Sequence, residues 1–232
     1  MGLIDLLERV SQAAPSVRLR LGSLEPRTIT EEFCQRAAAL PGLCHLSLQS
    51  GCDDTLRRMN RKYTTHRYQE GLELLRAAFP RPAITTDLIV GFPGETEAEF
   101  QQTLRFVEQC AFAEMHLFPY SIRSGTPAAS MAQVDAAVKE ERCRQAAQLA
   151  RGLQKHYLTG CVGNVYPVLF EQPIGKGRRW VGHAPQPDPP RAHRRRGGGH
   201  AGGGDSVGSG SAVQEREKEG MVCTTFLPTS PG

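Results

Sequence analysis

Four times along this chain, a stretch of alternating apolar and polar residues gives way to one with helical spacing. Val17, Leu19 and Leu21 alternate with Arg18 and Arg20, which predicts a first strand ending at Gly22. Thr28 followed three residues later by Glu31 is a capping-box pattern, so a helix is expected to about residue 40, where Pro41-Gly42 stops it. Residues 45–49 predict a second strand, with Leu46 and Leu48 on one face and Ser47 and Gln49 on the other, broken by Ser50-Gly51. Helices are expected over 53–59 and then over a longer stretch in which Tyr68, Leu72, Leu75 and Phe79 share a stripe, closed by Pro80 and Pro82. Ile84, Thr86, Leu88 and Val90 fall on one face of a third strand, and Thr85, Asp87 and Ile89 on the other. A Gly91-Phe92-Pro93-Gly94 turn leads to a capping box of Thr96 and Glu99, after which Phe100, Leu104 and Val107 recur at helical spacing to about residue 109. Residues 114–119 predict a fourth strand, 120–131 a long Ser-, Gly- and Pro-rich loop, and 138–157 a further helix.

Strands at this interval, each followed by a helix, specify βα units and a mainly parallel sheet, so the fold class is α/β. Four units are half of an eightfold barrel, which leaves an open sheet or the later part of a partial (β/α) barrel whose first strands precede Met1. The pattern changes at residue 165, where Tyr166, Val168 and Phe170 alternate with Val165, Pro167 and Leu169 and announce a small β segment. From residue 186 the sequence is Pro-, Arg-, Gly- and Ser-rich with almost nothing to bury, and disorder is expected to residue 232. The expected division is therefore 1–160, 161–185 and 186–232.

Composition narrows the function classes. With 39% hydrophobic and 22% charged residues and no apolar run near the roughly 20 residues of a membrane span, a globular protein without membrane partners is expected. The N-terminus lacks the pattern of a secretory leader, which points to a cytoplasmic location. Seven cysteines, at 34, 44, 52, 110, 143, 161 and 223, lie too far apart for a zinc or iron–sulfur clamp and do not form a disulfide framework. A net charge of +4 is too small by itself to indicate a nucleic-acid partner.

In a parallel α/β fold, ligands bind at the carboxyl ends of the strands. Glu25 there either accepts hydrogen bonds from an amine or ribose hydroxyl or is a helix-entry charge. Gln49 reads a ligand edge or satisfies a neighbouring backbone, and Asp87 orients a ligand or pairs with a barrel arginine. Arg61 forks onto a carboxylate or phosphate, or belongs to a solvated basic run, while His116 on a strand is a core histidine sooner than a ligand. The turn at Gly91 has neither the lysine and hydroxyl of a Walker loop nor a three-glycine dinucleotide fingerprint. No nucleophile elbow is present, and no two histidines have the helical spacing of a metal motif.

Five motifs in order go further: LRLGSLEP at 19–26, LSLQSGCD at 46–53, MNRKYT at 59–64, TDLIVGFPGET at 86–96, and HLFPYS at 116–121 with SGTPAA at 124–129. This series closely resembles the radical-SAM methylthiotransferases, over roughly residues 2–185. Within them it looks most like the enzymes that add a methylthio group to C2 of N6-threonylcarbamoyladenosine beside the tRNA anticodon. The enzymes acting on isopentenyladenosine of tRNA or on a ribosomal protein are close relatives.

The resemblance implies a transferase with three parts: an N-terminal domain with one [4Fe-4S] cluster, a partial barrel holding a second cluster and S-adenosyl-L-methionine, and an RNA-gripping TRAM domain. It also implies tRNA and a reducing electron donor as partners. The chain departs from this pattern, because the three-cysteine motifs of both clusters have no counterpart and only the later barrel units match. Residues 165–185 look like the opening strands of a TRAM domain, and residues 186–232 resemble the product of a GC-rich gene read out of frame. The expectation is thus a fragment that needs a missing N-terminal half for activity. An inactive or non-catalytic RNA-binding remnant is the rival reading. Carried across by motif, the resemblance implies that Glu25, Gln49 and Arg61 face S-adenosylmethionine, that Asp87, Ile89 and Gly91 line the same cavity, and that Phe118, Pro119 and Tyr120 close it. None of them is expected to be a metal ligand, and no catalytic residue is assigned.

Overall fold

The four alternating stretches become one parallel sheet in the computed structural model, which describes residues 1–17, 19–40, 42–165, 169–174 and 179–183. Its strands are β1 (Leu19–Leu24), β2 (Gly42–Leu46), β3 (Thr85–Val90) and β4 (Glu114–Pro119), and their spatial order follows the chain order. That order is the winding of a barrel wall, whereas a doubly wound sheet reverses its order at a switch point. β3 and β4 are in register along their whole length, from Thr85 opposite Glu114 to Val90 opposite Pro119. β1 and β2 pair from Leu19 opposite Gly42, with an irregularity between Leu21 and Leu24 where Ser23 takes a positive φ of 52°.

The helices are α1 (Leu3–Ala13), α2 (Glu31–Ala37), α3 (Asp53–Arg58), α4 (Thr65–Ala78), α5 (Glu97–Cys110) and α6 (Ala136–Cys161). Residues Phe33, Tyr68, Leu72, Leu75, Phe100 and Val107 of α2, α4 and α5 pack on Leu46, Leu48, Ile84, Leu88 and Val90, so one face of the sheet carries the core. Each such side chain contributes roughly 1.5–3 kcal/mol by leaving water. On β3 the burial alternates as expected: Thr86, Leu88 and Val90 are buried, and Thr85, Asp87 and Ile89 are half-buried on the other face.

Three elements differ from the sequence expectation. The cap of α2 is Thr30, whose hydroxyl accepts from Phe33 N at 3.1 Å, because Pro26–Thr28 forms a 3-10 turn that uses up Thr28. The second strand lies earlier than residues 45–49; its ladder stops at Leu46, and Gln49, at φ 69°, keeps only an isolated parallel bridge to Leu88. α1 has no counterpart among the expected elements; it buries Ile4 and Leu7 and is tied to α2 by Arg36, which reaches both Asp5 and Glu8 at 2.7 Å.

α5 starts at the expected capping box, with Thr96 Oγ1 accepting from Glu99 N and Glu99 Oε2 accepting from Thr96 N. The described residues up to Val165 form one compact unit. A second unit contains the antiparallel hairpin of β5 (Leu169–Ile174) and β6 (Arg179–His183). The expected β positions 166–168 and the expected disorder over 186–232 lie outside the described residues.

Candidate functional site

The carboxyl ends of the four strands are joined by backbone hydrogen bonds into one continuous line. Ser47 N donates to Leu24 O at 3.0 Å, Gln49 N to Asp87 O at 2.9 Å, Ile89 N to Gln49 O at 3.0 Å, and Tyr120 N to Val90 O at 2.8 Å. Glu25 directly follows β1, Gly91 directly follows β3, and Phe118 and Pro119 end β4 opposite Ile89 and Val90. Glu25, Gln49, Ile89, Gly91, Phe118, Pro119 and Tyr120 therefore sit at or just past the strand ends, while Asp87 lies further back in β3 and Arg61 is on the turn after α3, where Asn60 has a positive φ of 58°.

Several of their polar groups are unspent. Among the described residues, neither the Glu25 carboxylate nor the Gln49 amide nor the Arg61 guanidinium has a hydrogen-bond or ion-pair partner, and Arg61 Nε is buried in that state. Tyr120 has a buried hydroxyl oxygen without a hydrogen bond, its ring packed edge-on to Phe92 at 5.2 Å. Buried polar atoms left like this are costly unless something polar fills the site. Tyr63 organises the same corner: its hydroxyl donates to Ser47 O at 3.2 Å and Leu48 O at 3.0 Å. Burial pushes that phenol up to about 12, with Arg61 pulling it down and Glu25 pushing it up, so all three share one electrostatic neighbourhood. Ile89 is half-buried opposite Phe118, a residue 51% exposed.

Nearby charges held in ion pairs do structural work instead, although Arg58 Nε is buried without a hydrogen bond. Glu95 Oε2 accepts from Gly91 N at 2.9 Å and from Arg142 of α6 at 3.0 Å, and both side chains of that ion pair are almost completely buried. Desolvation raises the Glu95 pKa in spite of these partners. Gly91, at φ 71°, lies under the Lys139 side chain, with whose Cγ a Cβ there would clash, and Lys139 Nζ donates to Tyr120 O at 3.4 Å. α6 thus fixes the turn after β3 and the end of β4 together. On the other side, Arg58 holds Glu99 through both carboxylate oxygens, at 3.0 and 2.8 Å, and keeps its carboxyl below the usual range.

Asp87 is placed differently from Glu25, Gln49 and Arg61. It lies a layer deeper on the half-exposed face, with Oδ2 3.2 Å from His45 Nε2, and pairs in register with His116. No barrel arginine reaches it among the described residues. Sequence reasoning misses His45, which there is only the first residue of an expected strand; matching face parity between strands is the signal that could have found it. The described cysteines 34, 52, 110, 143 and 161 do not gather, and each close group of metal-type ligands contains at most one of them. No helix among the described residues is long and apolar enough to cross a membrane.

Residues 3–107 match the radical SAM superfamily. The threonylcarbamoyladenosine tRNA methylthiotransferase MtaB of Bacillus subtilis is 42% identical over 159 residues, covering 67% of this chain and 35% of the relative. The tRNA-2-methylthio-N(6)-dimethylallyladenosine synthase of Opitutus terrae is 40% identical over 183 residues, covering 77% of this chain and 38% of the relative. The chain therefore spans well under half the length of these curated relatives. Among solved structures, the radical SAM enzyme coproporphyrinogen III oxidase (HemN) from Escherichia coli superposes with a TM-score of 0.55 at 15% identity, over 66% of this chain and 38% of that one, a likeness of fold alone.

Proposed function

We propose, from the match of residues 3–107 to the radical SAM superfamily, that this chain is the later part of a radical SAM tRNA methylthiotransferase acting at C2 of N6-threonylcarbamoyladenosine next to the anticodon. The observation that carries the site assignment is the set of unspent polar groups of Glu25 and Gln49 at neighbouring strand ends and of Arg61 in the turn after α3. S-adenosylmethionine has the complementary chemistry: a carboxylate for Arg61, an amine and ribose hydroxyls for Glu25, and an adenine edge for Gln49. Ile89, Gly91, Phe118 and Pro119 supply the apolar wall that excludes water, and Tyr120 adds a buried hydroxyl at the same end of the sheet.

When bound, S-adenosylmethionine supplies the methyl group and the radical chemistry, while the protein positions it and keeps solvent out. The cysteines among the described residues do not fit a [4Fe-4S] cluster, so no step is assigned to one here. An active assembly on this reading takes its cluster ligands and electron donor from outside the described residues, with tRNA as the macromolecular substrate.

Mass spectrometry of tRNA nucleosides from cells lacking the gene tests the reading. Loss of the 2-methylthio form with accumulation of unmodified N6-threonylcarbamoyladenosine is expected, and unchanged nucleosides would contradict it. The 40% identity to a dimethylallyladenosine synthase favours one second reading, in which the methylthio form of that base disappears instead.

A further inference from the structure

One layer below the strand ends, three neighbouring strands each give a metal-type ligand to the same face. His45 of β2 pairs in register with Thr85 of β3, and Asp87 of β3 with His116 of β4. One ligand atom from each of His45, Asp87 and His116 lies within 4.8 Å of the other two. The two imidazoles stack with centroids 5.9 Å apart. His45 Nε2 is 3.2 Å from Asp87 Oδ2 on a side chain only 9% exposed, yet the nitrogen is buried without an aligned hydrogen bond.

That combination has a chemical meaning. His45 Nδ1 lies 2.9 Å from Thr85 Oγ1, and when this bond uses the ring N–H, Nε2 presents a bare lone pair toward a carboxylate. A proton on Nε2 or a bound cation relieves a buried nitrogen acceptor facing this half-buried carboxylate, and of the two only a metal cation also engages the second imidazole, of His116. A histidine with one nitrogen held by a neighbour and the other directed at a carboxylate and a second histidine is the arrangement of a metal ligand with its outer-shell support. Two imidazoles and one carboxylate suit borderline first-row divalent cations, zinc foremost, and three protein ligands leave a position open. Bonds of about 2.0–2.2 Å need ligand atoms closer than 4.8 Å, and the His45–Asp87 pair already stands at 3.2 Å.

We propose that His45, Asp87 and His116 bind a divalent cation of the zinc class, with Thr85 as the positioning residue that fixes the His45 ring. This departs from the expectation that Asp87 ligates no metal, and it does not rest on the methylthiotransferase reading.

The test uses the full chain, stripped with chelator and dialysed against Zn2+ for elemental analysis and against Co2+ for absorption spectra. Expected are one zinc per chain and a cobalt spectrum without a thiolate charge-transfer band. Asp87→Asn and His116→Ala are expected to lower affinity by more than the roughly 10–100-fold that loss of an outer-shell partner causes, and Thr85→Val by an amount within that range. Glu25→Ala is expected to leave zinc binding unchanged even where it abolishes S-adenosylmethionine binding, which separates this site from the strand-end site. Thermal melting confirms that each variant is folded, and His116→Gln replaces His116→Ala should the latter unfold. Absence of stoichiometric zinc, a thiolate band, or affinity unaltered in Asp87→Asn and the folded His116 variant would each overturn the proposal.

Discussion

Arg142→Met is expected to destabilise the fold by about 3–5 kcal/mol, because it strands a buried carboxylate. Arg142 donates to Glu95 Oε2 and to Glu95 O, each at 3.0 Å, reaches Glu97 on its exposed side, and packs over Phe100 at 5.3 Å. Methionine keeps most of the volume and removes the charge, leaving Glu95 with Gly91 N as its remaining donor. For a chain of this size the melting midpoint is expected to fall by roughly 6–20 °C.

The pH dependence has a definite sign. Burial already raises the Glu95 pKa in the folded state, so its contribution to stability is greatest below its unfolded value and is lost as pH rises through the folded value. Without Arg142 the folded value rises further. The deficit of the variant is therefore expected to be small in acid and to grow toward neutral pH. Adding Glu95→Gln should recover part of it at neutral pH, since no charge is then left buried. A midpoint shift below about 2 °C at neutral pH would show that the pair does not hold the turn after β3 in place.

Gly51→Ala is expected to cost about 1–3 kcal/mol by overpacking. A Cβ at this position would lie 2.9 Å from both Phe106 Cβ and Thr103 Cα and 3.0 Å from Thr103 O, so the backbone of α5 must retreat. The same contact carries Ser50 Oγ to Thr103 Oγ1 at 3.2 Å and Ser50 Oγ to Cys52 N at 3.2 Å, close in sequence to Gln49. Ligand affinity at the strand ends is therefore expected to fall together with stability. Gly22→Ala, with no atom within 4 Å of its Cβ, is expected to change stability by less than about 0.5 kcal/mol. Chemical denaturation of both variants measures the contrast, and equal values would contradict the close approach.

The parts of the fold that local rules govern are legible in the sequence. Strand 114–119 and the Thr96–Glu99 box follow directly from period-two alternation and capping chemistry, and the structure has both. The Thr28 cap fails because Pro26 starts a 3-10 turn that shifts the helix start by two residues, a competition that spacing alone does not resolve. The second strand is displaced because alternation persists through Gln49, whereas the ladder ends at Leu46 before the backbone turns into the left-handed region. At the candidate site, the strand-end residues can be named from position. The partners that decide which charges are free cannot, since Glu95 meets Arg142 47 positions away and His45 meets Asp87 far along the chain. Those meetings depend on register between strands and on where α6 lands.

The central claim is that Glu25, Gln49 and Arg61 form one binding edge for S-adenosylmethionine. It is tested most directly by calorimetric titration of that nucleoside into the full chain and into Glu25→Ala, Gln49→Asn and Arg61→Ala, with melting curves run in parallel. Asparagine is chosen at position 49 because it tolerates the positive φ there. Saturable binding to the parent chain is predicted, with a loss of about tenfold or more in each variant and melting midpoints close to the parent. Absence of binding to the parent, or affinities unchanged across all three variants, would contradict the claim.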